Sequence, residues 1–126
     1  MSFRERRFTS RNGLNLYFRD YGDLLSGQTP VLCLAGLTRN SKDFHDFAER
    51  LATGRRVICP DYRGRGRSDP DPDRRNYAAR VYVDDVLHLV ALTGLHRAVV
   101  VGTSLGGLLA MALAAANPTM LAGVVL

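Results

Sequence analysis

The chain has 126 residues and a mass of 13.9 kDa, which leaves room for one domain around a single core and none for two independent domains. With 46% hydrophobic and 23% charged residues it is neither a disordered chain nor a collagen-like or fibrous one. The net charge of +5 rests almost wholly on arginine, Lys42 being the single lysine; these cations are spread among 12 acids, and only Arg63 to Arg67 (RGRGR) form a concentrated patch, so no nucleic-acid partner is expected.

Alternation at Arg4 to Thr9 and again at Leu14 to Phe18, with Asn12-Gly13 between, predicts an antiparallel hairpin with a two-residue turn. A loop of small and polar residues over 22–30 leads into Val31 to Leu34, an apolar run that reads as a strand buried on both faces. Ser41 is the expected cap of a helix whose apolar positions Phe44, Phe47, Ala48 and Leu51 follow the 3.6 period and which Gly54 ends. A second buried strand, Arg56 to Cys59, runs into Pro60. Cys33 and Cys59 both lie inside apolar runs, which suits buried thiols and not a disulfide framework or a metal site.

Residues 61–75 (DYRGRGRSDPDPDRR) are turn formers and charges, hence a loop, and Asn76 is the expected cap of a helix over Tyr77 to Thr93. Val81, Asp85, Val86, Leu89, Val90 and Leu92 form its core-facing stripe. A third buried strand, Ala98 to Val101, meets Gly102-Thr103-Ser104 and then a small-residue helix, Leu105 to Ala116, stopped by Asn117-Pro118. That run is the longest apolar stretch, at about twelve residues with two glycines, and falls short of the roughly 18 that a membrane helix needs. Arginines at the N-terminus are followed by no signal-peptide core, so a cytoplasmic location without membrane partners is expected. Ala122 to Leu126 begins a fourth buried strand. Strands alternating with helices after a hairpin predict an α/β fold with a mostly parallel sheet.

The chemistry concentrates at Gly102-Thr103-Ser104-Leu105-Gly106, a Gly-x-Ser-x-Gly pattern at a strand-to-helix junction. Such a sharp turn strains the central residue, so the positions two away on either side must lack a Cβ. Ser104 is then held out at the C-terminal edge of the sheet as a candidate nucleophile. An oxyanion needs two N–H donors: the amide of Leu105 opens the following helix, where the dipole favours negative charge, and Ala35-Gly36-Leu37-Thr38 can bring the amide of Leu37 opposite it, with Gly36 allowing close approach. GTSLGG as a nucleotide loop is disfavoured, since it lacks both the Gly-x-Gly-x-x-Gly spacing and the lysine of a P-loop.

These residues resemble the N-terminal part of the α/β-hydrolase-fold serine hydrolases. VLCLAGLTRN is similar to the family's strand and oxyanion loop, although Ala35 stands where a histidine often precedes the glycine; DYRGRGRSD is similar to the loop after the next strand, and VVVGTSLGG to the nucleophile elbow. The resemblance covers the 126 residues, as a partial core domain without the C-terminal part or cap. It implies that Arg63 to Ser68 supports the site, with Asp61 and Arg63 in structural bonds, and that serine, not aspartate, is the nucleophile, unlike the haloalkane dehalogenases and epoxide hydrolases of this fold. It implies a small-molecule acyl substrate, a carboxylic ester, lactone or relative, cleaved through an acyl-enzyme at Ser104 with no cofactor and no metal. A carbon–carbon bond hydrolase and a non-catalytic small-molecule-binding module are the alternatives.

The family's nucleophile is followed in chain order by an acid and a histidine. His45 and His88 fall on helices and His96 lies before the Ser104 strand, at its far end from the site; Asp84 and Asp85 sit within reach of His88 on one helix, a surface contact. The triad acid and base are therefore expected beyond Leu126, in a C-terminal half that would be this chain's partner.

Overall fold

A computed structural model describes residues 3–37 and 39–126, which form one mixed sheet in the strand order β1-β2-β4-β3-β5-β6 with helices against it. Met1, Ser2 and Thr38, the last of these in the expected oxyanion loop, lie outside the described residues. Strand β1 (Phe3–Thr9) pairs antiparallel with β2 (Asn15–Tyr21), and β2 pairs antiparallel with β4 (Val57–Pro60). From β4 through β3 (Val31–Leu34) and β5 (Ala98–Gly102) to β6 (Leu121–Val125) the sheet is parallel. The fold class read from the sequence is thus the one observed.

Asn12-Gly13 does sit in the hairpin turn, but the turn is wider than two residues. The Ser10 N–H donates to the Leu14 carbonyl at 2.8 Å, while the Ser10 hydroxyl accepts from the Leu14 N–H at 2.9 Å and donates to Asn12 Oδ1 at 2.7 Å. A side chain closes a turn that the backbone alone would have had to tighten.

The expected caps are also displaced. Asn40, extended at φ −148°, accepts from the Lys42 N–H and caps a 3₁₀ turn at Ser41–Phe44, which runs into α1 (His45–Leu51). Ser41 is instead the first residue inside that turn, buried, with its N–H donating to Asp61 Oδ1 at 2.7 Å. Asn76 lies inside a 3₁₀ turn, Arg74–Asn76, capped by Asp73, and its amide donates to Asp71 at 2.8 Å; α2 (Ala79–Thr93) starts after it and ends at Gly94 with φ +67°. On α2 the buried positions are Tyr82, Asp85, Val86, Leu89 and Val90, whereas Leu92 is exposed. The α3 helix (Leu105–Ala116) has its expected bounds.

The buried runs VLCL and VICP form the centre of the core, joined by Leu89, Leu109 and Leu113 from the helices. From β3 the chain crosses to β4 on one side, then returns over β3 to β5 and on to β6. Right-handed crossovers put α1 on one face and α2 and α3 on the other. The direction of winding reverses between β3 and β5, the place where open α/β sheets bind ligands at the carboxyl ends of their strands.

Candidate active site

Ser104 stands at that reversal point, between the end of β5 and the start of α3, at φ 55° and ψ −117°. A serine with positive φ is strained by about 1 to 3 kcal/mol, and the surroundings hold it there. The Thr103 N–H donates to the Leu34 carbonyl at 3.2 Å, Gly106 N–H to the Thr103 carbonyl at 2.9 Å, and Gly107 N–H to the Ser104 carbonyl at 3.0 Å. A Cβ on Gly102 would overlap the Gly106 carbonyl oxygen, and one on Gly106 would overlap that of Leu34. Both are fixed backbone atoms, so glycine is required at each position. Ser104 itself is exposed, and its hydroxyl makes no hydrogen bond among the described residues.

The Ala35-Gly36-Leu37 loop after β3 faces it. A Cβ on Gly36 would stand 3.5 Å from the Ser104 Cβ, an ordinary contact, so this glycine keeps space open over the serine and is not demanded by backbone geometry. Its carbonyls are turned to other partners: Ala35 accepts from the Tyr62 hydroxyl at 2.7 Å, Gly36 from the Arg39 N–H at 3.1 Å, and Leu37 from Arg65 Nε at 2.7 Å. The amides of Leu37 and Leu105 donate to no group of the described residues. Two unclaimed N–H groups therefore border the Ser104 shelf, one of them at the N-terminus of α3 where the helix dipole favours an anion.

Beneath this shelf the loop after β4 is locked by charge. Arg63, buried, sends Nε and Nη2 to Asp85 at 2.8 and 2.6 Å and Nη1 to Asp71 at 2.7 Å. Hydrogen bonding to Asp85, outweighing burial, raises the guanidinium further above its ordinary value. Asp61 accepts from the backbone N–H of Ser41 and of Arg67, and a Cβ on Gly66, at φ +50°, would collide with its carboxylate. Burial raises the Tyr62 hydroxyl, which keeps it a donor to Ala35. Sequence reading missed Tyr62 and Arg65 as the ties between this loop and the oxyanion loop; both partners are backbone carbonyls, for which no residue type is a signal.

The histidines stay away from Ser104. His45 packs on Phe3 and Tyr21 and takes a 2.9 Å hydrogen bond between Nδ1 and the Tyr21 hydroxyl; His88 lies 6.2 Å from the Phe8 ring; His96 is exposed in the turn before β5, at the opposite end of the strand. The expected surface contact of Asp84 and Asp85 with His88 does not form: Asp84 pairs with Arg11 at 2.9 Å, and Asp85 turns inward to Arg63. Cys33 and Cys59 are buried free thiols on neighbouring strands; hydrogen bonding of the Cys59 S–H to Cys33, with burial, pushes the Cys59 thiol well up. Donor atoms of His45, Asp46 and Glu49 come within 4.8 Å of one another on α1, far from the elbow in the fold and solvent-facing. A cavity of about 400 Å³ near Gln28, Pro30 and His96 likewise lies at the end of the sheet opposite Ser104.

The sequence model of the alpha/beta hydrolase fold family matches residues 29–126. The chain is 38% identical over 97 residues to a 3-hydroxybutyrate-oligomer hydrolase of Cupriavidus necator, covering 77% of this chain and 33% of that protein. It is 31% identical over 102 residues to a proline iminopeptidase of Lactiplantibacillus plantarum, covering 79% and 36%. Among solved structures, an alpha/beta hydrolase from Novosphingobium aromaticivorans superimposes with a TM-score of 0.90 at 51% identity, over 98% of this chain and 43% of that one. The chain spans about a third of the length of the curated relatives it matches. Among the described residues, no helix is long and apolar enough to cross a membrane.

Proposed function

The chain belongs to the alpha/beta hydrolase fold family, and on that premise we propose that it carries the nucleophile and oxyanion hole of a serine hydrolase acting on a carboxylic ester, lactone or related acyl group. The observation that carries this reading is Ser104, exposed at φ 55° on a turn that two sterically required glycines hold, with two unclaimed amides beside it. Ser104 Oγ attacks the acyl carbon; the carbonyl oxygen, becoming negative, accepts from the Leu37 and Leu105 N–H groups; the leaving group departs with a proton, and water later releases the acyl group from Ser104. The proton of Ser104 needs a base, and His45, His88 and His96 are each held elsewhere. In the proposed enzyme the imidazole and its acid are therefore supplied from outside this chain. Relatives named as a hydrolase of 3-hydroxybutyrate oligomers and as an sn-1-specific diacylglycerol lipase of Danio rerio support acyl substrates.

The test is labelling of the intact protein with a fluorophosphonate, which traps an activated serine as a tetrahedral adduct in the oxyanion hole. Wild type is expected to label, Ser104→Ala is not, and turnover of a p-nitrophenyl ester should fall by about a millionfold in the variant. Labelling that persists in a folded Ser104→Ala protein would overturn the assignment.

A further inference from the structure

The RGRGR run puts Arg63, Arg65 and Arg67 on one loop, and two of them are engaged by carboxylates. Arg63 bridges Asp71 and Asp85, and Arg67 pairs with Glu5 at 2.6 Å. Arg65, half-buried, forms no ion pair among the described residues; its Nε donates instead to a neutral acceptor, the Leu37 carbonyl, at 2.7 Å.

The backbone around Arg65 is a stiff base for that bond. Its N–H donates to the Tyr62 carbonyl at 2.9 Å and its carbonyl accepts from the Ser68 N–H at 3.0 Å, so two turns meet at this residue, with Gly64 and Gly66 on either side at φ +74° and +50°. The oxyanion loop has no such framework. Ala35, Gly36 and Leu37 lie past the end of β3, and each of their carbonyls is held by a single donor: the Tyr62 hydroxyl, the Arg39 N–H and Arg65 Nε in turn.

The direction of the Leu37 N–H follows from these holds. It shares a peptide plane with the Gly36 carbonyl, which the Arg39 N–H fixes at 3.1 Å, and the next plane, joined to the first at the Leu37 Cα, carries the carbonyl that Arg65 fixes. With both planes held, rotation between them is restricted. Without Arg65 the first plane can swing about the Leu37 Cα, and the N–H swings with it, beside a serine whose Cβ would lie only 3.5 Å from a Cβ on Gly36. A misplacement of about 1 Å at a reacting centre can cost on the order of 100-fold in rate.

We propose that Arg65 is a positioning residue of the oxyanion hole: without touching substrate, it keeps the Leu37 N–H aimed at the oxyanion that forms over Ser104. The inference rests on the serine-hydrolase reading above. The experiment compares Arg65→Met and Arg65→Gln in the intact enzyme on a p-nitrophenyl ester. Methionine keeps an unbranched stem of similar reach and has no donor, whereas the glutamine amide nitrogen stands as many bonds from Cα as arginine Nε and keeps the donor without the charge. Arg65→Met should lower kcat about tenfold with KM within about threefold of wild type, and Arg65→Gln should recover most of that loss. In parallel, hydrogen exchange followed by NMR should show the Arg39 N–H exchanging about tenfold faster in Arg65→Met and returning toward wild type in Arg65→Gln. Wild-type kcat or unchanged Arg39 exchange in Arg65→Met would overturn the proposal. So would a loss carried by KM, or Arg65→Gln as slow as Arg65→Met, which would make the charge and not the bond the cause. Arg65 lies outside the core, and Arg65→Leu takes the place of Arg65→Met if that variant fails to fold. Ester turnover that survives Ser104→Ala would overturn the nucleophile and the proposal together, while Ser104-dependent turnover that Arg65→Met leaves at the wild-type rate would overturn the proposal alone.

Discussion

The loop after β4 and the elbow after β5 leave the same edge of the sheet on either side of β3, yet they are held by different physics. In the loop, long charged side chains fold inward, and Arg63 bridges Asp71 and Asp85 with nearly all of its surface out of water. In the elbow no side chain does the holding: Gly102 and Gly106 let backbone lie against backbone, and Ser104 is strained between them. The first arrangement satisfies buried charge with complementary charge, and the second removes Cβ atoms so that a hydroxyl can face open space. A region that must present a reactive group has to leave that group unpartnered, while a supporting region has to leave nothing unpartnered.

The sharpest way to break the elbow is Gly106→Ala. The new methyl has only the carbonyl groups of Leu34 and Ala35 to displace, and neither is the flexible end of a side chain. A loss of more than about 4 kcal/mol is expected, enough to abolish folding in a protein of ordinary stability, measured as the loss of a cooperative thermal transition. A variant melting within a few degrees of wild type would mean that the elbow has slack which this packing denies. The corresponding blow to the loop is Arg63→Met, which strands two carboxylates in the interior. Denaturant unfolding should show a cost of about 3 to 5 kcal/mol, part of which is recovered on adding Asp85→Leu, because the penalty comes from uncompensated charge and not from lost volume. Equal destabilisation with and without Asp85 would refute that account.

The two regions were not equally legible in the sequence. The elbow could be read because its rule is local: a buried run ending in glycine, a serine two residues on, and glycine again before a helix of small residues. Strand β3 and helix α3 were equally plain, each an apolar run closed by turn formers. The loop hid its logic in distance. Asp85 was placed on the inward stripe of α2 by its period, but its partner Arg63 is 22 residues away, and Arg65 reaches Leu37 across 28. Ser41, expected as a cap, lies inside the turn that Asn40 caps, and its N–H is tied to Asp61, 20 residues on. Hydrophobic period and turn chemistry act within a few residues, whereas ion pairs and side-chain-to-backbone bonds are chosen by the folded arrangement.

A smaller effect, confined to chemistry, sharpens the link between the two regions. Arg65 holds the Leu37 carbonyl from the loop side, the Arg39 N–H holds the Gly36 carbonyl of the preceding peptide, and the Leu37 N–H in that peptide has no acceptor among the described residues. Leu37→Pro removes that donor while retaining an apolar residue at a half-exposed position. If the amide stabilises the developing oxyanion, kcat/KM of the intact enzyme on an ester should fall about 100- to 1000-fold, and Leu37→Ala should leave it within a few-fold of wild type. Wild-type turnover by a folded Leu37→Pro enzyme would remove Leu37 from the proposed oxyanion hole.

The gentlest probe is acid, to which only the charged region should respond. The Asp71 carboxyl is held below its ordinary value of 3.8, first by the backbone N–H of Asp73 and next by Asn76; these outweigh burial, and Asn12 and Arg63 add to them. A carboxyl with a depressed folded value contributes stability that is present above the ordinary value and lost as pH falls through the folded one. The latch on the loop should therefore begin to weaken below about pH 4, while residues 102–107 (GTSLGG) contain no group that titrates there. Hydrogen exchange, corrected for intrinsic rates, should show residues 61–76 losing protection between pH 5 and pH 3 ahead of the elbow, and Asp71→Asn should flatten that dependence. Loss of protection in both regions together, unchanged by Asp71→Asn, would mean that acid acts on the whole sheet and that the loop has no latch of its own.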